Sequence, residues 1–525
     1  MEHWKLGAAE LARFVAQGSV TAREVVEAHI ARVEAVNPVL NALVVKRYDA
    51  ALAEADAVDR RRAAGEPLGS LAGVPVTIKE SLDVAGLPSS YGLLSLASVI
   101  AASDGAYVAR LRRAGAIVIG KTNLSQLMIF IESDNPVYGR SNNPWNLERS
   151  PGGSSGGEGA SVASGCAPLG FGSDIGGSIR NPATSCGVVG FKPTAGRLPD
   201  TTRLPVFAGA EAIVSSEGPF ARCVDDVALA LGIANDGPNP DVLPPRPLGD
   251  PVSVDVGTLR VGVCERIGSF AAAPALARAA REAGAALAGM GATVVPFEVP
   301  HADRAQDLFF GILSADGTRG ARLALGSDPR DVRVAELIGI ASKPRSQLAI
   351  IERLLQVSGE HSLAAVVRNY GRTDTYHYWK LTEAVRAYAV LFAAAMDAAH
   401  GAPLDVLLLP PSGLPALPHG MSRQVLTAGM YAPLFNLLGY PAGSLPWTRV
   451  GAGEEVGRKR SRDRVERGAY ETEVGSAGLP IGVQVVARPW RDHVALAAMK
   501  ALETVARSRA DFPITPTDPP SAPTG

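Results

Sequence analysis

The sequence has few of the residues that mark disulfide-rich, metal-binding or nucleic-acid-binding proteins. Its 525 residues include only four cysteines and eight histidines. No two cysteines form a CxxC pair, so the pattern indicates buried, reduced thiols rather than a disulfide framework or a metal site. Lys and Arg (51) nearly balance Asp and Glu (52), which gives no electrostatic argument for binding nucleic acid or an anionic membrane.

Long apolar runs are also missing. No window reaches the ~18 consecutive apolar residues that a membrane-spanning helix needs. The first residues, MEHWKLGAAELARFV, lack the basic region followed by an apolar region that is typical of a secretory signal. We therefore expect a protein with no transmembrane segment, located in the cytoplasm. Apolar residues make up 46% of the chain and charged residues 20%, a composition typical of a globular protein with a large core.

What the sequence has in excess is glycine and serine, concentrated between residues 149 and 180 as RSPGGSSGGEGASVASGCAPLGFGSDIGGSIR. Ten of these 32 residues are Gly and seven are Ser. Glycine inside a helix or strand costs about 0.5–1 kcal/mol relative to alanine, so such a run needs a compensating purpose. Core-type residues such as Val162 and Phe171 argue against a flexible linker. At 153–156 and 176–178, serine hydroxyl groups stand next to the peptide N–H groups of glycines, which no side chain covers. This combination suits acyl-transfer chemistry.

Hydrophobic periodicity in the rest of the chain predicts an α/β protein. Strands and helices alternate on both sides of a mainly helical stretch at 302–400, which favours βαβ units and a mostly parallel or mixed sheet with helices on both faces. A capping box at Thr21 and Glu24 begins the first helix, and Asn37–Pro38 is expected to end it. The predicted helices are 21–36, 48–64, 104–114, 219–231, 274–289, 431–440 and 491–507. The predicted strands are 73–80, 116–121, 259–264, 292–295, 405–411 and 482–487, and residues 186–198 are predicted to form a strand and a turn.

The recurrence of βαβ signals favours one domain with insertions over several domains. In this interpretation, residues 1–70 supply N-terminal helices, and 71–300 and 401–507 form the α/β core. Residues 301–400 form an inserted helical cap. The Pro-rich segment 508–525 is predicted to be a disordered tail.

Catalytic candidates are less easily chosen from the residues alone. The histidines are scattered, none lies in the Gly/Ser stretch, and no GxSxG elbow sits between a predicted strand and a predicted helix, which argues against a Ser–His hydrolase. Lysine is the other candidate base. Lys79, Lys121 and Lys192 end apolar strands, where burial would lower the amine pKa from ~10.4 towards neutrality and allow it to accept a serine proton. The residues themselves do not select among the three.

Three stretches of the chain resemble the amidase signature family, whose members use a Ser–cisSer–Lys triad. They are GVPVTIKE (73–80), SPGGSSGGEGA (150–160) and SDIGGSIRNPATSCGVVGFKPTAGRL (173–198). Within the family, NPWNLERSPGGSSGGEGA, YAPLFNLLGYPAGSLPWT and GLPIGVQVVARPW are most similar to the fatty acid amide hydrolase branch. The resemblance extends over about residues 70–505. Ser173 is a departure, because threonine is usual at that position.

The resemblance implies the amidase signature fold, with a large, mixed, mostly parallel and twisted β-sheet covered by helices on both faces and an inserted helical region. It also implies that Ser178 is the nucleophile, Ser154 the bridging serine in a cis peptide, and Lys79 the base. No metal or organic cofactor is expected. The expected oxyanion-hole donors are the backbone N–H groups of Ile175, Gly176, Gly177 and Ser178.

Further roles follow from the same resemblance. Residues 128–131 match the acyl-pocket position, and their apolar character predicts a hydrophobic or aromatic acyl group; an ordinary core helix is the alternative interpretation. The predicted substrate-binding residues are Met128, Ile129, Gly153 and Ser173. The predicted supporting residues, which would hold the catalytic loop, are Ser155, Asp174 and Arg180.

The sequence therefore predicts an amidase that cleaves the C–N bond of a small molecule through an acyl-enzyme. Three alternatives remain open: a carbamate (urethane) or ester hydrolase, a hydrolase of linear amide oligomers, and the glutaminase subunit of a tRNA-dependent amidotransferase. The expected partner is a small amide or carbamate substrate, with no nucleic acid. A homodimer is an open expectation, because homodimers are common in the family.

Overall fold

The molecule is built on one large β-sheet, seen in a computed structural model that describes residues 2–199, 206, 209–237, 246–426 and 428–521. Eleven strands form this sheet, and two short strands, β4 and β5, form a separate hairpin. The strands are β1 (Leu43–Lys46), β2 (Pro75–Lys79), β3 (Ile117–Thr122), β4 (Asp134–Asn135), β5 (Gly139–Arg140), β6 (Leu169–Asp174), β7 (Val189–Lys192), β8 (Ser216–Ala221), β9 (Arg260–Val263), β10 (Thr293–Pro296), β11 (Val406–Leu409), β12 (Ala442–Arg449) and β13 (Pro480–Ala487).

Parallel pairing is confined to two blocks within the strand order β1-β3-β2-β6-β8-β7-β12-β13-β11-β9-β10. The blocks are β3–β2–β6 and β11–β9–β10. The strands between these two blocks pair antiparallel. Two of these pairs, β7–β8 and β12–β13, consist of strands that follow each other in the chain and run in opposite directions. The predicted α/β fold with a large mixed sheet is confirmed.

Helices pack on both faces of this sheet. Those of the described residues are α1 (Ala8–Gln17), α2 (Ala22–Leu40), α3 (Tyr48–Ala63), α4 (Ala106–Arg113), α5 (Gly156–Ser164), α6 (Arg180–Cys186), α7 (Val224–Asn235), α8 (Pro274–Gly289), α9 (Ala302–Leu313), α10 (Arg319–Leu325), α11 (Val332–Ala341), α12 (Arg345–Val357), α13 (His361–Asn369), α14 (Thr375–Ala398), α15 (Ser422–Val425), α16 (Pro433–Leu437), α17 (Arg464–Glu473) and α18 (Asp492–Arg507).

The first long helix, α2, begins as predicted but runs further. The Glu24 N–H donates to Thr21 Oγ1 at 3.1 Å and the Thr21 N–H donates to the Glu24 carboxylate at 2.8 Å, which completes the capping box. The predicted end at Pro38 is wrong, since the helix continues to Leu40. Proline in the last turn removes only one helical bond, and Asn41 ends the helix in the left-handed conformation.

Two other predicted boundaries need correction. Residues 219–221 were expected to begin a helix, but they end strand β8, and the helix α7 begins at Val224. The predicted helix at 431–440 is shorter, spanning Pro433–Leu437. Strand β12 was not predicted at all, because its sequence AGSLPWTR contains glycine and proline and gives little strand signal.

The predicted disordered tail is ordered as far as residue 521. Phe512 is buried in the core, and the Thr517 N–H donates to the Ala163 carbonyl at 2.8 Å. An ion pair of 2.6 Å joins Asp518 to Arg32. The prediction of disorder is therefore wrong for 508–518, because an apolar residue within the Pro-rich segment fills a site on the core. Residues 522–525 lie outside the described residues.

The stretch between β10 and β11 is helical, as the sequence predicted, and contains α9 to α14. Two side chains of α9, Phe309 and Phe310, line the cavity that is described below. Its treatment as a cap on a single domain stays a prediction. Across the described part of the chain, no helix is both long and apolar enough to cross a bilayer.

Candidate active site

The two Gly/Ser clusters meet at the end of strand β2. The first cluster, 153–156, leads into helix α5, and the second, 176–178, lies in the loop between β6 and α6. The Ser155 N–H donates to the Ser178 carbonyl at 3.3 Å, and Ser155 Oγ donates to the Ser173 carbonyl at 3.3 Å. One serine side chain and its backbone therefore tie the clusters together.

Lys79 is the last residue of β2 and its side chain is fully buried between these clusters. Its Nζ donates to Ser154 Oγ at 2.8 Å and to Ser173 Oγ at 3.1 Å. Burial lowers the pKa of the Lys79 amine to about 7, although the nearby carboxylates of Asp174, Glu158 and Glu217 oppose that shift. A substantial fraction of the amine is therefore neutral near pH 7 and able to accept a proton.

Sheet register separates Lys79 from the other two candidate lysines. In the β2–β3 pair, Lys79 lies opposite Thr122 while Lys121 lies opposite Ile78, so the two lysine side chains point to opposite faces. Lys121 accordingly donates to the Pro88 carbonyl and to a serine near it. Lys192 donates to the Pro193 carbonyl at 2.9 Å. Of the three, the structure brings Lys79 to the serines.

The first cluster is fixed by close backbone packing. The Gly153–Ser154 peptide is cis. A Cβ on Gly153 would lie 2.6 Å from the Glu132 nitrogen, so only glycine fits there. Ser133 Oγ accepts from the Gly156 N–H at 2.8 Å and donates to the Ser154 carbonyl at 3.3 Å. Residues 130–133 therefore pack against the first cluster and support Ser154.

The second cluster is held by a buried ion pair between Asp174 and Arg180. Arg180 Nε and Nη2 donate to the two Asp174 carboxylate oxygens at 3.0 and 2.9 Å, and both side chains are fully buried. Burial raises the pKa of the Asp174 carboxyl, but the charge and hydrogen bonds of Arg180, the charge of Lys192 and the hydrogen bond from Asn436 together outweigh burial and hold that pKa below its ordinary value. Arg180 also donates to Asn436 at 2.6 Å and to Gln484 at 2.7 Å.

The predicted oxyanion-hole donors are not equivalent in the structure. The Gly177 N–H donates to Asp174 Oδ1 at 2.7 Å, so this donor is directed into the loop. Ile175, Gly176 and Ser178 line the cavity beside the cluster. Gly177 has φ of 106°, and a Cβ there would lie 2.7 Å from Ala432 Cβ, so the position requires glycine.

Ser178 opens onto an apolar cavity of about 1350 Å³, a volume that includes the solvent at its mouth. Residues 128–131, which the resemblance matched to the acyl pocket, line this cavity, and they do not form an ordinary core helix, since only Gln126–Met128 make a short helical turn. Asp316 is the one charged side chain among the described residues of the lining. Gly153 and Ser173, predicted to bind substrate, are not in that described lining; Ser173 contacts Lys79 instead.

The chain is similar to known proteins along most of its length. The family model described as Amidase matches residues 24–496. The chain belongs to the amidase family. It is 34% identical to Fatty-acid amide hydrolase 1 of Sus scrofa over 448 residues, covering 83% of this chain and 76% of the relative. It is 32% identical to a glutamyl-tRNA(Gln) amidotransferase subunit of Acidothermus cellulolyticus over 522 residues, covering 96% of this chain and 94% of the relative. A solved structure of fatty acid amide hydrolase matches with a TM-score of 0.82 and 26% identity, covering 96% of this chain and 85% of that one.

These findings confirm the family, the amidase signature fold and an enzyme that hydrolyses amide bonds.

Sequence reasoning about this amidase missed Asn436, Gln484 and Glu158. Each is a single polar residue in an apolar or small-residue run, as in PLFNLL and IGVQVVA. A buried polar side chain needs a partner, which was the available signal. The sequence did not show which residue the partner is. Gln484, for example, lies 304 residues from its partner Arg180 in the chain.

Replacing Arg180 with methionine is expected to destabilise this amidase strongly. The change leaves the Asp174 charge buried without its partner, which costs about 3–5 kcal/mol of unfolding free energy. Urea denaturation followed by tryptophan fluorescence measures the loss. Arg61→Met is the matched control, because the Arg61–Glu66 pair is exposed and contributes about 0–1 kcal/mol. Equal losses in the two variants would contradict a structural role for the buried pair.

Proposed function

We propose that this amidase cleaves the C–N bond of substrates with an apolar or aryl acyl group, with Ser178 as nucleophile, Ser154 as proton relay and Lys79 as base. The observation that carries the proposal is the 2.8 Å contact between Lys79 Nζ and Ser154 Oγ, made by a buried amine with a lowered pKa. Ser178 lies in the second cluster, where its carbonyl accepts from the Ser155 N–H beside Ser154, and it lines the cavity.

The proposed reaction has two halves. Neutral Lys79 accepts a proton through Ser154 while Ser178 Oγ forms a bond to the substrate carbonyl carbon. The N–H groups of Ile175, Gly176 and Ser178 stabilise the resulting oxyanion. Lys79 returns the proton through Ser154 to the leaving nitrogen, the C–N bond breaks and an acyl-enzyme remains. Water then attacks the ester by the same proton route and releases the acid and free Ser178.

The substrate class follows from the lining of the cavity. Apolar side chains such as Met128, Ile129 and Phe309 surround the position next to Ser178. Burial of each additional methylene contributes about 0.8 kcal/mol, so a longer acyl chain binds better until the cavity is filled. Glutamine is a poorer candidate despite the amidotransferase relative. Its α-carboxylate would meet no cationic side chain in the described lining, and an unpaired buried charge is costly.

A panel of substrates tests the proposal. It contains primary amides of increasing acyl length, aryl amides and anilides, with carbamates, esters, linear amide oligomers and glutamine as the competing classes. We expect kcat/KM for amides to rise about fourfold per added methylene over the first few, as one buried CH₂ predicts. Glutamine hydrolysis faster than that of every apolar amide would contradict the proposal. Higher values for carbamates would favour the urethanase alternative.

Homodimeric assembly and a cytoplasmic location stay predictions.

A further inference from the structure

Three aromatic rings lead away from the catalytic loop along one wall of the cavity. A Cβ on Gly176 would lie 3.2 Å from Phe309 Cζ, so Phe309 packs directly on this loop. The ring centroids of Phe309 and Phe310 are 5.5 Å apart, and those of Phe310 and Tyr370 are 6.3 Å apart. All three aromatic residues line the cavity. Tyr370 therefore lies two ring-to-ring steps away from the loop that carries Ser178.

The Tyr370 hydroxyl is a polar group that the fold does not satisfy. The residue is only 5% exposed, and its hydroxyl forms no hydrogen bond with any residue that the structure describes. Tyr388, a buried tyrosine of α14, shows the usual arrangement, since its hydroxyl donates to the Pro300 carbonyl at 2.9 Å. Leaving a buried hydroxyl without a partner costs free energy. Because Tyr370 lines the cavity, a substrate atom can supply that partner.

The Asp316 carboxylate lies at the same end of the cavity as this hydroxyl. The Gly371 N–H donates to Ser314 Oγ at 2.9 Å, which joins the residue after Tyr370 to the segment of Asp316. Both Tyr370 and Asp316 line the cavity. Burial raises the pKa of the Tyr370 hydroxyl above its ordinary value, and the charge of Asp316 raises it further. One ligand group at this end of the cavity can therefore meet a phenol and a carboxylate.

Asp316 makes this end of the cavity acidic. The side chain is exposed, and its two carboxylate oxygens accept the N–H groups of Thr318 and Gly320, both at 2.7 Å. The adjoining groove shares Asp316 and also contains Asp374, and neither described lining includes a lysine, arginine or histidine. Arg372 lines a different groove. A positive ligand group is therefore favoured here over a negative one.

We propose that Tyr370 and Asp316 form an end subsite that binds an ammonium group at the far end of the acyl chain, which makes ω-amino acyl amides the preferred substrates. This inference rests on the proposed function, in which Ser178 attacks the amide at the other end of the cavity. The ammonium donates to the phenol oxygen and to the carboxylate, and the methylenes between the two ends cover the aromatic rings. A chain that is too short leaves its charge against Phe310 and Leu313, which is costly.

Three series of primary amides test the end subsite. Their hexanoyl, octanoyl, decanoyl and dodecanoyl chains end in a methyl, an ammonium or a carboxylate group. We expect kcat/KM of the ammonium series to lie below that of the methyl series for the shortest chains, and to exceed it about tenfold at one longer length. The carboxylate series should lie below the methyl series throughout, because Asp316 repels it. An ammonium series that never exceeds the methyl series would overturn the proposal.

Tyr370→Phe removes the hydroxyl and keeps the ring against Phe310. The ammonium advantage should fall about threefold at the best chain length, while methyl-terminated amides keep the wild-type kcat/KM. Because the fold does not use this hydroxyl, the melting temperature should stay unchanged or rise. Tyr388→Phe is the matched control, which should lower the melting temperature and keep the full ammonium advantage, since its hydroxyl is bonded within the fold. An undiminished advantage in Tyr370→Phe would contradict the proposal.

Asp316→Asn removes the charge and keeps an oxygen that can accept a backbone N–H. Both the ammonium advantage and the carboxylate penalty should disappear in this variant. Asp328→Asn is the matched control, because the Asp328 carboxylate also accepts a backbone N–H, that of Ser95 at 3.0 Å, but lies outside the described lining of the cavity. Equal changes in the two variants would overturn the role of Asp316.

Binding to Ser178→Ala separates this inference from the proposed function. Isothermal titration calorimetry of that variant, with the ammonium- and methyl-terminated amides of the best chain length, measures affinity without turnover. Tighter binding of the ammonium ligand, together with no hydrolysis of any amide by the wild type, would refute the proposed function and leave the binding site standing. Hydrolysis of the methyl-terminated amides, together with equal affinity for the two ligands, would refute the end subsite and leave the proposed function standing.

Discussion

Ser178→Ala is expected to abolish amide hydrolysis, with kcat reduced about 10⁴-fold or more. Alanine has no Oγ, so no acyl-enzyme forms, and only the backbone donors remain to polarise a bound carbonyl. The substitution leaves the backbone contact between the Ser155 N–H and the Ser178 carbonyl in place, so the loop keeps its fold. Hydrolysis of an aryl amide measures the loss. Mass spectrometry after fluorophosphonate treatment should show one adduct on the wild type and none on the variant.

Ser185→Ala supplies the comparison for this experiment. Ser185 is a buried serine of α6, and its Oγ contacts Asn181 at 3.5 Å, away from Lys79. This variant should keep both the adduct and most of the activity. An adduct that persists on Ser178→Ala would place the nucleophile at another residue and refute the assignment.

Lys79→Met is expected to lower kcat/KM for amides by about 10³–10⁴-fold. Methionine fills the buried site without an amine, so Ser178 loses its base and the leaving nitrogen loses its proton donor. A p-nitrophenyl ester should lose less, because p-nitrophenolate leaves without being protonated. The fall in wild-type rate below about pH 7 should also disappear, since it reports protonation of this amine. Steady-state kinetics on an amide and an ester of the same acid, from pH 5 to 9, measure all three effects.

Lys192→Met separates this role from the general effect of removing a buried lysine. Burial also lowers the pKa of Lys192 to about 7, but its amine donates to the Pro193 carbonyl. Its variant should keep the wild-type ratio of amide to ester activity, whatever happens to stability. Equal losses on amide and ester in Lys79→Met would contradict protonation of the leaving group by Lys79.

The sequence predicted the elements whose pattern is local. The helix at 274–289 matches α8 to the residue, the strand at 73–80 contains β2 and extends past its ends by two residues and one residue, and the strand at 116–121 matches β3 to within one residue at each end. Their apolar periods are strong and are bounded by glycine or proline. Strands β8 and β12 were missed because glycine and proline interrupt them. Antiparallel pairing in the centre of the sheet was also unreadable, since strand direction depends on the whole chain path.

The candidate site was likewise predicted only in part from the sequence. Lys79, Ser154 and Ser178 were selected by the resemblance to the amidase signature family, and the structure brings all three segments together. The diversion of the Gly177 N–H to Asp174 could not be foreseen, because it depends on how one loop turns around one carboxylate. Glu158 was visible as an acidic residue among glycines, but its hydrogen bonds with Thr77 and Thr122 depend on the register of β2 and β3.

The bonds from Arg180 to Asn436 and Gln484 have a consequence for how the enzyme is made. These contacts span 256 and 304 residues of chain, and the second reaches strand β13. During synthesis, the loop that carries Ser178 leaves the ribosome long before the residues that hold its arginine. The nascent chain therefore cannot complete this loop until β13 has been translated. Activity should therefore emerge only once that strand is in place.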